Sequence, residues 1–376
     1  MRKSEKVMKL QKLVVSCGGT GGHFYPGLSI AGEFQKKYGE VLLLLSGAHA
    51  EEQSRIAENA GIRAVALPPM PHYRKNPFRF ISGFLGGYFA AKRRLKEFSP
   101  QAMLGMGSFA TLPVVLAAKS CRIPLFLHDG NARVGKANRK FSKWAKFAGT
   151  AFPAVNADKC RCQVMETGMP LRPELLEFAG MDKGTAIEAL NREFSTEFSK
   201  EKPLIAVTGG SQGAAVFNQI LPEALKCCGG DYQVIHLCGK GKLADAEKGY
   251  ADAKFPYLLR ESTGKMAEIM AGADLVFSRS GGSTAAELAL FGVPSVLIPY
   301  PYAAEGHQMD NARYFEQHGA AVVVENSQLT VARAQEIITG YLNDPEKFRN
   351  MGKRMGKLGR PQASATMIEK ISAALD

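Results

Sequence analysis

Eight short apolar runs, each closed by glycine or a polar pair and followed by a longer amphipathic stretch, limit this 376-residue chain more than any other feature of it. They read LVVSCGG, VLLLLSG, AMLGMG and PLFLHDG, then PLIAVTGG, QVIHLCG, LVFSRSGG and SVLIPY. Continuous rather than alternating apolar residues mark strands buried on both faces, the condition of parallel strands covered by helices. The rhythm occurs twice, and 376 residues suit two domains of ordinary size. The stretch VMETGMPLRPELL (164–176), with Gly168, Pro170 and Pro173, reads as the hinge, because glycine and proline break both helix and strand. A basic run with glycines, MGKRMGKLGRP (351–361), precedes a helical segment, ASATMIEKISAAL, expected to cross back to the first domain. The expected division is 1–168 with 356–376 as one domain and 169–355 as the other.

Charge divides along the same line. Residues 1–170 hold 26 Lys+Arg against 10 Asp+Glu, an excess of +16, and residues 171–376 hold 22 against 25, which is −3 and completes the net +13. The first domain therefore faces something anionic, and either nucleic acid or a phospholipid surface satisfies that requirement. No helix-turn-helix, RNP or zinc-finger pattern supports nucleic acid. No apolar run approaches the ~20 residues of a membrane span, and the basic N-terminus is followed only by LVVS before glycines interrupt, so no export is expected. Seven cysteines, an odd number without a CxxC pair, fit a reducing cytoplasm.

Both halves open with a strand, a glycine-rich loop and a helix: VVSCGGTGGHFYPGL and IAVTGGSQGAAVFNQ. Such loops let backbone approach a phosphate while the helix N-terminus supplies free N–H groups, although tight strand-to-helix packing alone uses the same residues. In the first loop Phe24 stands where a dinucleotide fingerprint needs its last glycine, and no acid follows the second strand, so NAD is not indicated. A third loop, Arg279-Ser280-Gly281-Gly282-Ser283-Thr284, is followed by Glu287 in the first turns of a helix. A carboxylate there can accept both hydroxyls of a ribose; equally, an acid simply favours the positive end of a helix.

With these segments in view, the chain resembles the MurG-type transferases, which move N-acetylglucosamine from UDP-GlcNAc to undecaprenyl-pyrophosphoryl-MurNAc-pentapeptide, converting lipid I to lipid II in peptidoglycan synthesis. The resemblance spans roughly residues 10 to 340 and is carried by GGTGGHFYPGL (18–28), GSFATLP (107–113), HDGNARVGKANR (128–139), GMPLR (168–172), GGSQGA (209–214), RSGGSTAAE (279–287) and HQMDNA (307–312). It implies an α/β fold of two Rossmann-like domains facing a cleft, the GT-B type. The N-terminal domain would bind acceptor and membrane, and the C-terminal domain UDP-GlcNAc. Ser211 and Arg172 would hold the diphosphate, Glu287 the ribose and the backbone near Thr263 the uracil, while His307 and Gln308 would read the sugar. Gly282, Ser283, Thr284, Ala285 and Ala286 would line the donor, Thr20, Gly21 and Gly22 would cradle anionic groups, and Asn131 would face the acceptor. No DxD occurs, so neither a metal nor another cofactor is expected.

The implied chemistry is one inverting displacement at the anomeric carbon by the MurNAc 4-hydroxyl, through an oxocarbenium-like state by analogy with glycoside hydrolysis. It needs a base. His23, beside the first glycine loop, is the first candidate, since histidine ordinarily titrates near working pH; Asp129 is the rival. Two positions depart from the family: its common HEQN reads His128-Asp129-Gly130-Asn131 here, and Thr263 replaces an aliphatic residue.

In segment 70–98, Tyr73, Phe78, Phe80, Phe84 and Phe89 alternate with Arg74, Lys75, Arg79, Lys92, Arg93 and Arg94, and GKANRKFSKWAKF (135–147) repeats the theme around Trp144, the only tryptophan. Such interleaving suits attachment to an anionic phospholipid surface, here the cytoplasmic face of the bacterial inner membrane; the plainer reading is a core-facing aromatic stripe with solvated basic flanks. Two further readings remain. A UDP-GlcNAc 2-epimerase would share the architecture without a lipid acceptor, and a non-catalytic nucleic-acid binder would bind RNA with a steep salt slope.

Overall fold

The computed structural model describes residues 10–69, 77–210 and 212–375. It separates into two compact units, residues 1–172 with 361–376 and residues 173–360. The divisions fall slightly beyond the expected 168 and 355. The hinge is shorter than expected because residues 163–166 belong to a strand, and a helix, Pro173–Glu177, begins directly after Arg172.

Seven strands build the first unit: β1 (Lys12–Gly18), β2 (Glu40–Ser46), β3 (Ala64–Ala66), β4 (Ala102–Gly105), β5 (Leu125–Asp129), β6 (Ala145–Thr150) and β7 (Gln163–Glu166). They form a sheet in the order β3-β2-β1-β4-β5-β6-β7, with every pairing parallel. The two-residue period of a strand divides each apolar run between two cores. Leu13, Val15, Cys17, Leu43 and Leu45 face one core, which also holds Phe24, Ile30 and Phe34 of the helix Gly21–Lys37. Val14, Leu42 and Leu44 face the other, with Ala91 and Leu95 of the helix Pro77–Phe98 and Val114 and Val115 of the helix Leu112–Ser120. The helix Ala363–Ala373 adds Met367, Ile368 and Ile371 to the first of these cores.

In the second unit, β8 (Leu204–Thr208), β9 (Gln233–Leu237), β10 (Tyr257–Arg260), β11 (Leu275–Ser278), β12 (Ser295–Leu297) and β13 (Ala321–Val323) form a parallel sheet ordered β10-β9-β8-β11-β12-β13. The basic run with glycines is not a loop: most of it completes the helix Pro345–Lys357, where a Cβ on Gly352 would lie 2.5 Å from the carbonyl oxygen of Gly292. Glycine there permits close helix contact.

Both sheets reverse direction at one point, between β1 and β4 in the first and between β8 and β11 in the second. In open parallel sheets the crevice beyond the strand ends at this reversal is where ligands bind. The glycine loops after β1, β8 and β11 all open there.

Candidate functional site

In the first unit, helix Gly21–Lys37 starts behind Thr20, which has extended backbone and whose side chain caps no N–H. Its Oγ1 lies 3.1 Å from His23 Nδ1. Gly107, in the loop after β4, faces the other edge of that ring, since a Cβ there would lie 3.3 Å from His23 Cδ2, 3.4 Å from His23 Nε2 and 3.3 Å from Asn138 Nδ2. His23 is half-buried, and no acid occupies the first turn of its helix.

Asn138 ties this edge to Asp129, donating from Nδ2 to the His128 carbonyl at 2.9 Å and to Asp129 Oδ2 at 3.0 Å. Asp129 is 7% exposed, and it also accepts from Gly135 N at 2.8 Å and Asn131 Nδ2 at 3.3 Å. A carboxylate with three donors from its own loop organises that loop. These bonds tie the HDGN segment to Gly135 and Asn138. Its neighbour His128 is 1% exposed and meets the Gly168 carbonyl through Nε2 at 2.9 Å. Burial lowers its pKa, which keeps the ring neutral and Nε2 as the donor. Arg172 stacks its guanidinium 5.7 Å from the Tyr25 ring centroid, one turn into the helix that bears His23.

In the second unit two helices begin side by side, because β8 and β11 are neighbours. The helix Ala215–Cys227 follows the 209–214 loop, and the helix Gly282–Phe291 follows Ser280-Gly281. Among the described residues neither has a side-chain cap at its N-cap or an acid in its first turn, and such helix starts suit an anion. Ser211 lies outside the described residues. Gly282, Ser283, Thr284, Ala285 and Ala286 form the start of the second helix, with Ala285 and Ala286 buried against the unit. Glu287 is half-buried in the second turn, within the first turns of the helix as expected.

The segment His307–Gln317 reaches the same place. Ser280 Oγ donates to the Gln308 carbonyl at 2.7 Å, Asn311 Nδ2 donates to the Ser280 carbonyl at 3.0 Å, and Gln308 Oε1 accepts from Tyr300 N at 2.9 Å. The Gln308 amide nitrogen is left beside Gly281, where a Cβ would be 3.9 Å away. His307 turns back to the Ala304 carbonyl through Nδ1 at 2.8 Å. Arg279 braces the loop by donating to the carbonyls of Ile298 and Pro299 at 3.0 and 3.1 Å. Thr263 stands apart, past the edge strand β10, where its Oγ1 accepts from Lys265 N at 2.9 Å.

Sequence reasoning missed Asn138, Ser280, Arg279 and Asn311. Their only signal was a polar residue held inside a glycine-bearing segment, which does not reveal the partner. For two aromatics of 135–147 the core-facing reading holds: Phe141, at the end of helix Lys136–Phe141, and Phe147, on β6, are 1% and 3% exposed. Trp144 is half-buried, with Lys119 and Lys143 ammonium groups 4.6 and 4.4 Å from its ring centroid. Tyr73, Arg74 and Lys75 lie outside the described residues. On the helix Pro77–Phe98, Phe80 and Phe84 are half-buried, while Ile81, Leu85 and Phe89 are 52%, 45% and 62% exposed at four-residue intervals. Among the described residues no helix is long and apolar enough to cross a membrane.

Comparison with known proteins bears on both units. The glycosyltransferase family 28 N-terminal domain matches residues 13–150, and the family 28 C-terminal domain matches residues 204–367. The UDP-N-acetylglucosamine:N-acetylmuramyl-(pentapeptide) pyrophosphoryl-undecaprenol N-acetylglucosamine transferase of Desulforamulus reducens is 33% identical, over 97% of this chain and 99% of its own. The protein of the same name from Listeria monocytogenes serotype 4a is 31% identical over 96% of this chain and 98% of its own. Among solved structures, MurG of Acinetobacter baumannii superposes with a TM-score of 0.78 at 26% identity, covering 96% of this chain and 99% of that one. The UDP-GlcNAc 2-epimerase of Neisseria meningitidis reaches 0.69 at 14% identity, over 96% and 99%, a likeness of fold alone.

Proposed function

We propose, since this chain belongs to the MurG-type N-acetylglucosaminyltransferases of glycosyltransferase family 28, that each part of its transfer reaction can be assigned to named residues. It is a glycosyltransferase of peptidoglycan synthesis with the α/β fold of two Rossmann-like domains known as GT-B, and it acts on the N-acetylmuramyl-pentapeptide pyrophosphoryl-undecaprenol acceptor. The observation that carries the donor reading is the pair of uncapped helix N-termini at the β8/β11 reversal, with Gln308 bound into the same loop. A UDP leaving group develops charge on two phosphates, and fixed N–H donors stabilise that charge without reorganising.

In this reading the 209–214 loop with Ser211 takes the diphosphate and residues 282–286 line the donor, while Arg172 is a phosphate-directed base at the end of the first unit. Glu287 accepts the ribose hydroxyls, the backbone at Thr263 meets uracil, and His307 and Gln308 read the sugar. On the first unit Thr20, Gly21 and Gly22 form the wall of an anion cradle, and Asn131 faces the acceptor. His23 takes the proton of the 4-hydroxyl as its oxygen bonds to the anomeric carbon, and the bond from that carbon to the UDP phosphate oxygen breaks on the opposite face, which inverts the carbon. Thr20 Oγ1, 3.1 Å from Nδ1, orients the ring for that task. Asp129 keeps the acceptor loop in place. The decisive assay is transfer of labelled GlcNAc from UDP-GlcNAc to a short-chain lipid I analogue, with EDTA present. Label in the lipid product is expected; conversion of UDP-GlcNAc without acceptor would favour epimerisation instead.

The exposed row Ile81, Leu85 and Phe89, flanked by the exposed bases Arg79 and Arg93, supports peripheral attachment to the anionic cytoplasmic face of the inner membrane. Apolar side chains enter the headgroup boundary while the bases meet lipid phosphate. Replacing all three with serine is expected to reduce sedimentation with phosphatidylglycerol vesicles at least ~10-fold, since each buried apolar side chain is worth ~1.5–3 kcal/mol and these begin half covered. Activity on a water-soluble acceptor should be unchanged. Vesicle binding equal to that of the parent protein would remove the helix from the attachment surface.

A further inference from the structure

The glycine loop after β8 rests on a line of buried polar groups that the transfer chemistry never touches. Tyr250, His236 and Asn218 are 1%, 1% and 7% exposed. Asn218 Nδ2 donates to the Cys238 carbonyl at 3.1 Å, so its Oδ1 is the acceptor for His236 Nε2–H at 3.0 Å. That choice fixes the tautomer, and His236 Nδ1 then accepts from the Tyr250 hydroxyl at 2.9 Å. Burial pushes the His236 pKa down to about 3, so the ring stays neutral and the direction of every bond is preserved.

The last acceptor of this line is the atom on which the loop is built. Gly213 has a φ of +62°, and a Cβ there would lie 2.0 Å from the Cys238 carbonyl oxygen; a Cβ on Gly239 would lie 2.5 Å from the Gly213 Cα. Two backbones touch with no side chain between them, so a shift of the Cys238 carbonyl moves the turn closed by Gly213 N and the Gly210 carbonyl at 2.9 Å. The same stretch holds the next loop as well: Cys238 N donates to the Arg260 carbonyl at 2.9 Å, and Gly239 N donates to the Glu261 carbonyl at 3.0 Å. Lys242 Nζ closes the arrangement by donating to the Gln212 carbonyl at 2.6 Å.

We propose that the line from Tyr250 through His236 to Asn218 is a positioning device for the donor loops. Through one carbonyl it sets Gly213, near the end of the loop after β8, and, through Arg260 and Glu261, the segment that leads to Thr263. The three residues thus govern affinity for the nucleoside diphosphate without touching it, an inference that rests on reading those loops as the donor site. A fully satisfied buried network of this kind specifies one arrangement, which an apolar core of equal volume would not.

The test compares His236→Leu, Asn218→Leu and His236→Gln in the full chain with Ile338→Ala, a fully buried position on a different helix of the same unit. Three quantities are measured for each: the UDP dissociation constant by calorimetry, KM and kcat with UDP-GlcNAc, and Tm. Both leucine variants are expected to raise Kd and KM about 10-fold, the cost of one or two unsatisfied buried groups, with kcat altered less than about threefold. His236→Gln, which can donate to Asn218 and accept from Tyr250, should stay within about threefold of the parent. Ile338→Ala should lose Tm and keep its affinity. If His236→Leu does not fold, Tyr250→Phe shortens the same line by one hydroxyl and supplies the same readings. Parental UDP affinity in a folded His236→Leu or Tyr250→Phe, or an equal affinity loss in Ile338→Ala, would overturn the proposal. Failure of the parent protein to bind UDP would instead overturn the donor-site reading beneath it.

Discussion

His23→Ala is expected to lower kcat by ~10²–10⁴ while leaving the UDP-GlcNAc dissociation constant within about twofold, because a positioned general base acts on the transition state and not on the bound donor. The ring is presented for this task by its surroundings. Thr20 Oγ1 lies 3.1 Å from Nδ1, and the opposite edge packs against Gly107, where a Cβ would lie 3.3–3.4 Å from the ring. Asp129, the other candidate, is enclosed by Gly135, Asn138 and Asn131. Its loss should therefore disorder the acceptor loop and raise the acceptor KM, a different signature from that of His23. Single-turnover transfer at saturating donor separates the two, and unchanged turnover in His23→Ala would dismiss the histidine from the reaction.

Glu287→Ala should show the opposite pattern, a ~10–100-fold weaker affinity for UDP-GlcNAc with kcat at saturation within a few-fold. Hydrogen bonds to a charged group contribute ~1.5–3 kcal/mol each, and a ribose offers two hydroxyls to one carboxylate. The position is suitable because Glu287 is on the second turn of a helix whose start lies at the β8/β11 reversal. Calorimetry with UDP and 2′-deoxy-UDP tests the contact itself. The parent protein should discriminate between them and the variant should not. Equal discrimination by both would place the ribose elsewhere.

The strands most visible in the sequence were those buried on both faces. LVVS, VLLLL and LIAV could be read as strands because each side of the sheet needs apolar residues, and that need writes a continuous run. Short edge strands carry no such run. β3 is Ala-Val-Ala, β7 begins with an exposed glutamine, and β10 begins and ends with exposed residues, so pairing alone defines them. Within the site, positions that need glycine or a helix start were legible, since backbone geometry leaves its mark locally. Asn138 and the line from Tyr250 to Asn218 were not, because a buried polar residue is explained only by a partner many positions away, 18 in the case of Asn218 and His236. The same absence of long-range information hid the three donors that meet Asp129.

The helix Ala363–Ala373 gives the chain an order of assembly. Met367, Ile368 and Ile371 are fully buried in a core of the first unit, yet all of residues 173–360 separate them from the rest of that unit. A ribosome releasing this chain therefore exposes an incomplete first unit, with Phe24, Ile30 and Phe34 lacking part of their cover, for as long as the second takes to emerge. At ~5–20 residues per second the interval is on the order of ten to forty seconds. The segment that finishes the oldest core is thus among the youngest, and the nascent protein carries an uncovered apolar face through half of its own synthesis.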